Sequence, residues 1–159
     1  MAISLCACST RPNVFSEQRD ERLRRFDRER ERLERTNDPV RRTKIYIRIS
    51  DLMISFIGDA VQMEDSEMME DKLEGYRSTI RKARNTMLNS GRDASLKASG
   101  FRDLEIALRQ HVRQLGDIGS QLTFEYRETI ETVISEVSEV RDELLKALFP
   151  DGENATPGN

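Results

Sequence analysis

Cys6 and Cys8, His111, and the cations Arg41, Arg42 and Lys44 are the residues of this chain whose types and spacing can do chemistry. A Cys-x-Cys pair binds a soft metal or cycles through a disulfide only when further ligands or thiols complete the site. Here there is no other cysteine and a single histidine. His111 has no Glu-x-x-His or His-x-x-x-His companion, so a helical metal site lacks its usual ligands and a hydrogen-bonded or partly exposed structural histidine is expected. Asp51, Asp59, Glu70, Glu105 and Asp117 are scattered along helical segments, where solvated faces account for most of them. No glycine-rich phosphate loop, Gly-x-Ser-x-Gly elbow or Cys-x-x-Cys occurs. Nothing in the sequence argues for catalysis, and no metal or cofactor is expected.

The cations fall in DPVRRTKIYIR, residues 38–48, within the first two turns of an expected helix. Cations belong at the other end, because a helix N-terminus already carries partial positive charge. Two readings follow. Free amides together with Arg41, Arg42 and Lys44 can hold a phosphate or carboxylate. Alternatively, these side chains pair with acids of the preceding helix such as Glu31 and Glu34, the commoner arrangement at protein surfaces.

The elements that must position these residues are helices. The chain has 159 residues, 36% hydrophobic and 35% charged, with no Trp, 4 Pro and 8 Gly, which suits one helical domain with its own core. Its formal net charge of -3 and pI near 5.4 give no whole-surface field that would attract nucleic acid or acidic lipid. No run of eighteen apolar residues occurs, and the richest stretch, Ile45 to Val61, is interrupted by Arg48, Asp51 and Asp59.

Apolar residues recur every three or four positions in four segments. Segment 39–63 is the most hydrophobic: Ile45, Ile49, Leu52, Phe56 and Met63 make one stripe, and Ile54, Ile57 and Val61 widen it, as in the central helix of a bundle. Asp38 can cap its start, and Pro39 fits the first helical position because its missing amide would have no partner. Segment 66–90 carries Met69, Leu73, Tyr76, Ile80, Ala83 and Met87, and Gly91 stops it. Segment 100–121 carries Phe101, Leu104, Leu108, His111, Leu115, Ile118 and Leu122, with His111 its one polar member. Segment 123–149 carries Tyr126, Ile130, Val133, Val137, Val140 and Leu144 before Pro150.

Residues 16–36 are different. Eight arginines (19, 22, 24, 25, 28, 30, 32, 35) face seven acids (17, 20, 21, 27, 29, 31, 34). Asp20 with Arg24, Glu21 with Arg25 and Glu31 with Arg35 stand in the favourable acid-first i,i+4 order, each adding about 0.2–0.5 kcal/mol to helicity. Only Leu23, Phe26 and Leu33 offer apolar surface, so this helix is expected to pack weakly or project. The interleaved acids cancel the phosphate attraction an RNA-binding arm depends on, and a solvated or coiled-coil partner face is preferred to nucleic acid. Four stripes that must bury one another make an all-α antiparallel bundle of four amphipathic helices plus this charged N-terminal helix. The bundle domain is expected over 16–149. The connection GRDASLKASG, residues 91–100, is the expected mobile loop, and residues 150–159 form the expected flexible tail. Gly116 and Gly119 can bend helix 100–121 or admit another helix closely.

Leu5-Cys6-Ala7-Cys8, followed by Ser9-Thr10-Arg11-Pro12, resembles the end of a bacterial lipoprotein signal peptide: Leu at minus three, small residues at minus two and minus one, then the lipidated cysteine. Seven residues before Cys8 are too few for a basic region and an apolar region together, so residues 1–7 read as the remnant of a signal that starts upstream. The resemblance implies a diacylglycerol thioether on the Cys8 sulfur, an acylated amino group, and a bundle hanging from the membrane by residues 8–15. Several acyl chains anchor stably where one does not. The body resembles uncharacterised bacterial helical proteins with a stretch like DPVRRTKIYIRISDL, which brings no activity with it. The expectation is therefore a non-enzymatic, lipid-tethered bundle of the bacterial cell envelope, facing the periplasm and binding a protein partner or a second copy of itself. The alternative is a cytoplasmic adaptor or regulator that docks a protein or nucleic acid through residues 16–36.

Overall fold

A computed structural model describes residues 14–150; Cys6 and Cys8, the segment 1–7, most of 8–15 and residues 151–159 lie outside the described residues. Five helices run in order: α1 (Val14–Glu34), α2 (Pro39–Gln62), α3 (Ser66–Leu88), α4 (Phe101–Gly119) and α5 (Phe124–Leu148), with no strand among the described residues. The domain is an all-α bundle, as the periodicity predicts. Its starts are chemically marked. Asp38 accepts a hydrogen bond from the Arg41 amide at 2.8 Å ahead of Pro39, and Asp65 accepts from the Met68 amide at 2.9 Å ahead of α3. Helix α1 begins at Val14, two residues before the expected boundary.

Consecutive helices run antiparallel, yet their order in space is not their order in sequence. Helix α2 lies beside α3 and α4, α5 lies beside α4 and α3, and α3 meets α4 only across the core. Two helical hairpins, α2–α3 and α4–α5, therefore face each other. Arg77 and Arg84 of α3 bond Glu136 and Glu143 of α5, rising in the same direction along both helices, so this neighbouring pair is parallel. The link from Asn89 to Gly100 is long enough for that diagonal crossing. It is also tied down: the Lys97 amide donates to the Asp93 carbonyl at 2.8 Å, the Ser95 amide donates to Asp93 Oδ1 at 2.9 Å, and Ala94 joins the buried core.

Helix α2 has two buried apolar faces. Tyr46, Ile54, Ile57 and Ala60 belong to the core shared with the stripes of α3, α4 and α5. Ile45, Ile49, Leu52 and Phe56 are equally buried but stand outside that core, on the face turned to α1. The stripe that dominates the α2 sequence is thus covered by the charged helix, while the residues that widen it face the bundle. Met63, at its far end, is 40% exposed.

Helix α1 packs on α2 alone, antiparallel to it. The contacts run in register: Arg22 Nη2 to Asp59 Oδ2 at 2.6 Å, the Phe26 ring edge-on to Phe56 with centroids 6.1 Å apart, Arg48 Nε to Glu29 Oε2 at 3.0 Å, and Arg42 to the last carbonyls of α1. Asp59 and Glu29 are largely buried in this contact, so removing their arginines would strand a carboxylate. Within α1, Glu31 pairs with Arg35 at 3.5 Å as its spacing predicts. Glu21 instead bonds Arg24 at 3.1 Å and Arg28 at 3.0 Å, so it pairs one and two turns along rather than with Arg25, and Arg24 is drawn to Glu21 rather than Asp20. Arg30, where the apolar stripe would continue, lays its guanidinium 5.9 Å from the centre of the Phe26 ring.

Candidate functional site

The three N-terminal cations of α2 do not converge on one site. The Asp38 carboxylate already accepts from the amide of Arg41, whose side chain is exposed. Arg42 Nη1 donates to the carbonyls of Leu33 at 3.0 Å and Thr36 at 2.7 Å, and its Nη2 donates to the Tyr46 hydroxyl at 3.2 Å. It thereby satisfies carbonyls that the end of α1 leaves open, a cation at the negative pole of a helix. Lys44 pairs with Asp103 of α4 at 3.4 Å. Neither Glu31 nor Glu34 takes part in these contacts. Arg42 and Lys44 are arranged by the end of α1 and the start of α4, which the sequence places 6 to 9 residues before Arg42 and 59 residues after Lys44.

His111 is 1% exposed and bonded at both ring nitrogens. Nε2 lies 2.8 Å from Asp51 Oδ1 on α2, and Nδ1 lies 3.2 Å from the Tyr76 hydroxyl on α3. An ionised carboxylate only accepts, so Nε2–H donates to Asp51. In the neutral imidazole Nδ1 is then an acceptor, and the Tyr76 O–H donates to it. Burial pushes the Tyr76 hydroxyl far above its ordinary value, and the Asp51 charge adds to the effect, so Tyr76 remains a neutral donor. The Tyr76 hydroxyl is fully buried, which makes this chain of bonds a brace between three helices.

Glu105 is a second buried polar centre, 4% exposed. Arg109 Nη2 reaches its Oε2 at 2.6 Å and Arg141 Nη2 of α5 reaches its Oε1 at 3.1 Å. The bond from Arg109 holds the Glu105 carboxyl below the usual glutamate range against the opposing effect of burial, with Arg141 adding to it. The Arg77 bond lowers Glu136 in the same way. A carboxyl whose folded pKa is depressed stabilises the fold above its unfolded pKa, and that contribution is lost as pH falls through the folded value. Urea unfolding is therefore expected to show stability level near neutral pH and falling below the ordinary glutamate value of about 4.3. Glu105→Gln should flatten that acid limb, and an unchanged limb would mean that Glu105 does not contribute to it.

A site-like feature open to solvent lies at the opposite end of the bundle from Arg42. A groove of about 370 Å³ opens where α2 turns into α3 and α4 into α5, with Val61, Met69, Leu122 and Tyr126 among its walls and Glu64 and Asp65 on its rim. Phe124, the first residue of α5 and a neighbour of the wall residue Thr123, is 84% exposed. Because α1 runs antiparallel to α2, its N-terminus lies at this same end, with the Arg19 guanidinium against the sulfurs of Met63 at 3.8 Å and Met68 at 3.9 Å. Helical periodicity marks Leu122 and Tyr126 as core positions. That they border an open groove follows from how the two inter-helix turns meet.

Gly119 admits a close approach: a Cβ there would stand 3.3 Å from Ile130 Cγ2, whereas one at Gly116 would meet nothing within 4 Å. Among the described residues no group of three or more His, Cys, Asp or Glu side chains is placed to hold a metal, and no helix is long and apolar enough to cross a membrane. In comparison with known proteins, the chain matches no protein-family model, no curated protein and no solved structure.

Proposed function

We propose that the protein is a non-enzymatic helical bundle of the bacterial cell envelope, anchored by lipid at Cys8, facing the periplasm and working by binding another protein. The observation that carries this reading is the open apolar groove, with Phe124 beside it, at the end of the bundle where α1 begins. Val14, where α1 begins, lies at this end of the bundle, and Cys8 stands six residues earlier in the sequence, which supports an anchor on the side of the groove. The buried polar side chains support a scaffold role: both ring nitrogens of His111 and both carboxylate oxygens of Glu105 are bonded within the bundle.

Labelling the full-length gene product with radioactive palmitate tests the anchor. Label is expected on the wild type and absent from Cys8→Ser. Unlabelled, soluble wild-type protein sinks the anchor and leaves the cytoplasmic adaptor, docking through residues 16–36, in its place.

A further inference from the structure

The walls and rim of the groove between the two hairpin turns differ in character. The walls are mostly apolar, with Ser66, Gln121 and Thr123 among them, and about 370 Å³ is room for one large apolar side chain. The charged residues that line it, Glu64 and Asp65, are both acidic, and Glu67 stands exposed two residues further on in α3. Two cations stand close by, though neither is among the residues that line the groove. Arg127 donates to the Leu122 carbonyl at 3.4 Å, and Arg19 lies against Met63 and Met68.

We propose that this groove docks a basic segment of a partner protein, which seats one aromatic or aliphatic side chain beside Leu122 and Tyr126 and sets Lys or Arg against Glu64, Asp65 and Glu67. The assignment rests on the protein-binding part of the reading above and is independent of the lipid anchor. Charge selects this occupant. A second copy would bring the same acidic rim against itself, and an anionic membrane would meet carboxylates of its own sign. An apolar anchor with a basic flank satisfies both parts of the site, and Phe124, next in sequence to the lining residue Thr123, supplies exposed aromatic surface.

The test uses the full chain and three fluorescein-labelled peptides followed by anisotropy: Lys-Arg-Leu-Phe-Arg-Lys, its acidic counterpart Glu-Glu-Leu-Phe-Glu-Glu, and the anchorless Lys-Arg-Ser-Ser-Arg-Lys. Only the first is expected to bind well, and added salt should weaken it. Phe124→Ser should lower its affinity by about fivefold or more. Glu64→Gly should do likewise while easing the backbone, because Glu64 sits at φ 55, where glycine is preferred. Loss of binding in Glu64→Gly is therefore not a folding defect.

Equal binding of all three peptides, or binding indifferent to both substitutions, overturns the proposal. So does a concentration-dependent dimer abolished by Phe124→Ser, which gives the face to a second copy. Phe124-dependent pelleting with phosphatidylglycerol vesicles gives it to lipid, and likewise overturns it. Palmitate on Cys8 with no peptide binding removes this assignment alone; peptide binding without palmitate removes the anchor alone.

Discussion

His111→Leu is expected to destabilise the bundle by about 1–3 kcal/mol, and adding Tyr76→Phe to it should restore much of that loss. Leucine suits the position, which lies in the buried stripe between Leu108 and Leu115. The cost comes from the partners left behind. Asp51 is 56% exposed at its side chain and regains water when Nε2–H is gone. The Tyr76 hydroxyl is fully buried, with no solvent to replace Nδ1. Tyr76→Phe alone leaves Nδ1 without its donor, so each single change strands a buried group, whereas the double change removes both. A double-mutant cycle in urea should give a coupling of about 1 kcal/mol or more. Strict additivity would show that the Tyr76–His111 bond contributes nothing measurable. For a domain of this length each kcal/mol corresponds to about 2–4 °C in Tm.

Gly100→Ala is expected to cost about 2–4 kcal/mol, while Gly116→Ala in the helix that follows it should stabilise by about 0.4–1 kcal/mol. Gly100 precedes α4 at φ 87 and ψ -52, a backbone conformation that L side chains avoid. A Cβ there would lie 2.7 Å from Met87 Sδ and 2.8 Å from Met87 Cε, and Met87 is fully buried and cannot swing into solvent. The Gly100 amide also donates to Asp103 Oδ2 at 3.2 Å, so a shift of the backbone disturbs the start of α4. Gly116 has free space and an ordinary helical backbone, and there alanine mainly lowers the entropy of the unfolded chain. Chemical denaturation of both variants reads the contrast. Equal and small effects would mean that Gly100 has no special constraint.

His111 illustrates how far the sequence carries. Its spacing from Leu108 and Leu115 places it in the stripe of α4, but Asp51 and Tyr76 lie 60 and 35 residues away and share no local pattern with it. Glu105 is partly legible, since Arg109 stands four residues later in the favourable order; its second partner, Arg141, comes from α5. Asp59 sits three residues after Phe56 on a helix whose apolar face is obvious. Its burial depends on α1 lying over that face and delivering Arg22. Arg42 reads from sequence as an anion ligand or an ion-pair partner, whereas in the fold it binds the carbonyl end of α1. Solvated helix faces describe Glu70 and Asp117 but not Asp59 or Glu105.

Helix positions, their capped starts and the four apolar stripes are determined by the sequence by itself, because these depend on residues within a few positions of one another: a period near 3.6, a side chain that accepts an orphan amide, a proline that needs no donor. Which face meets which was decided only in the tertiary structure. A link running from Asn89 to Gly100 leaves α3 and α4 free to stand diagonally, and that crossing brings α2 beside α4 and α3 beside α5. The Lys44–Asp103 and Asp51–His111 contacts exist because α2 and α4 became neighbours, and Arg77–Glu136 because α3 and α5 did. The groove between the two turns has the same origin. Its apolar walls are written in the helix stripes, but its opening is made by the ends of two hairpins that face each other and stop at the same level.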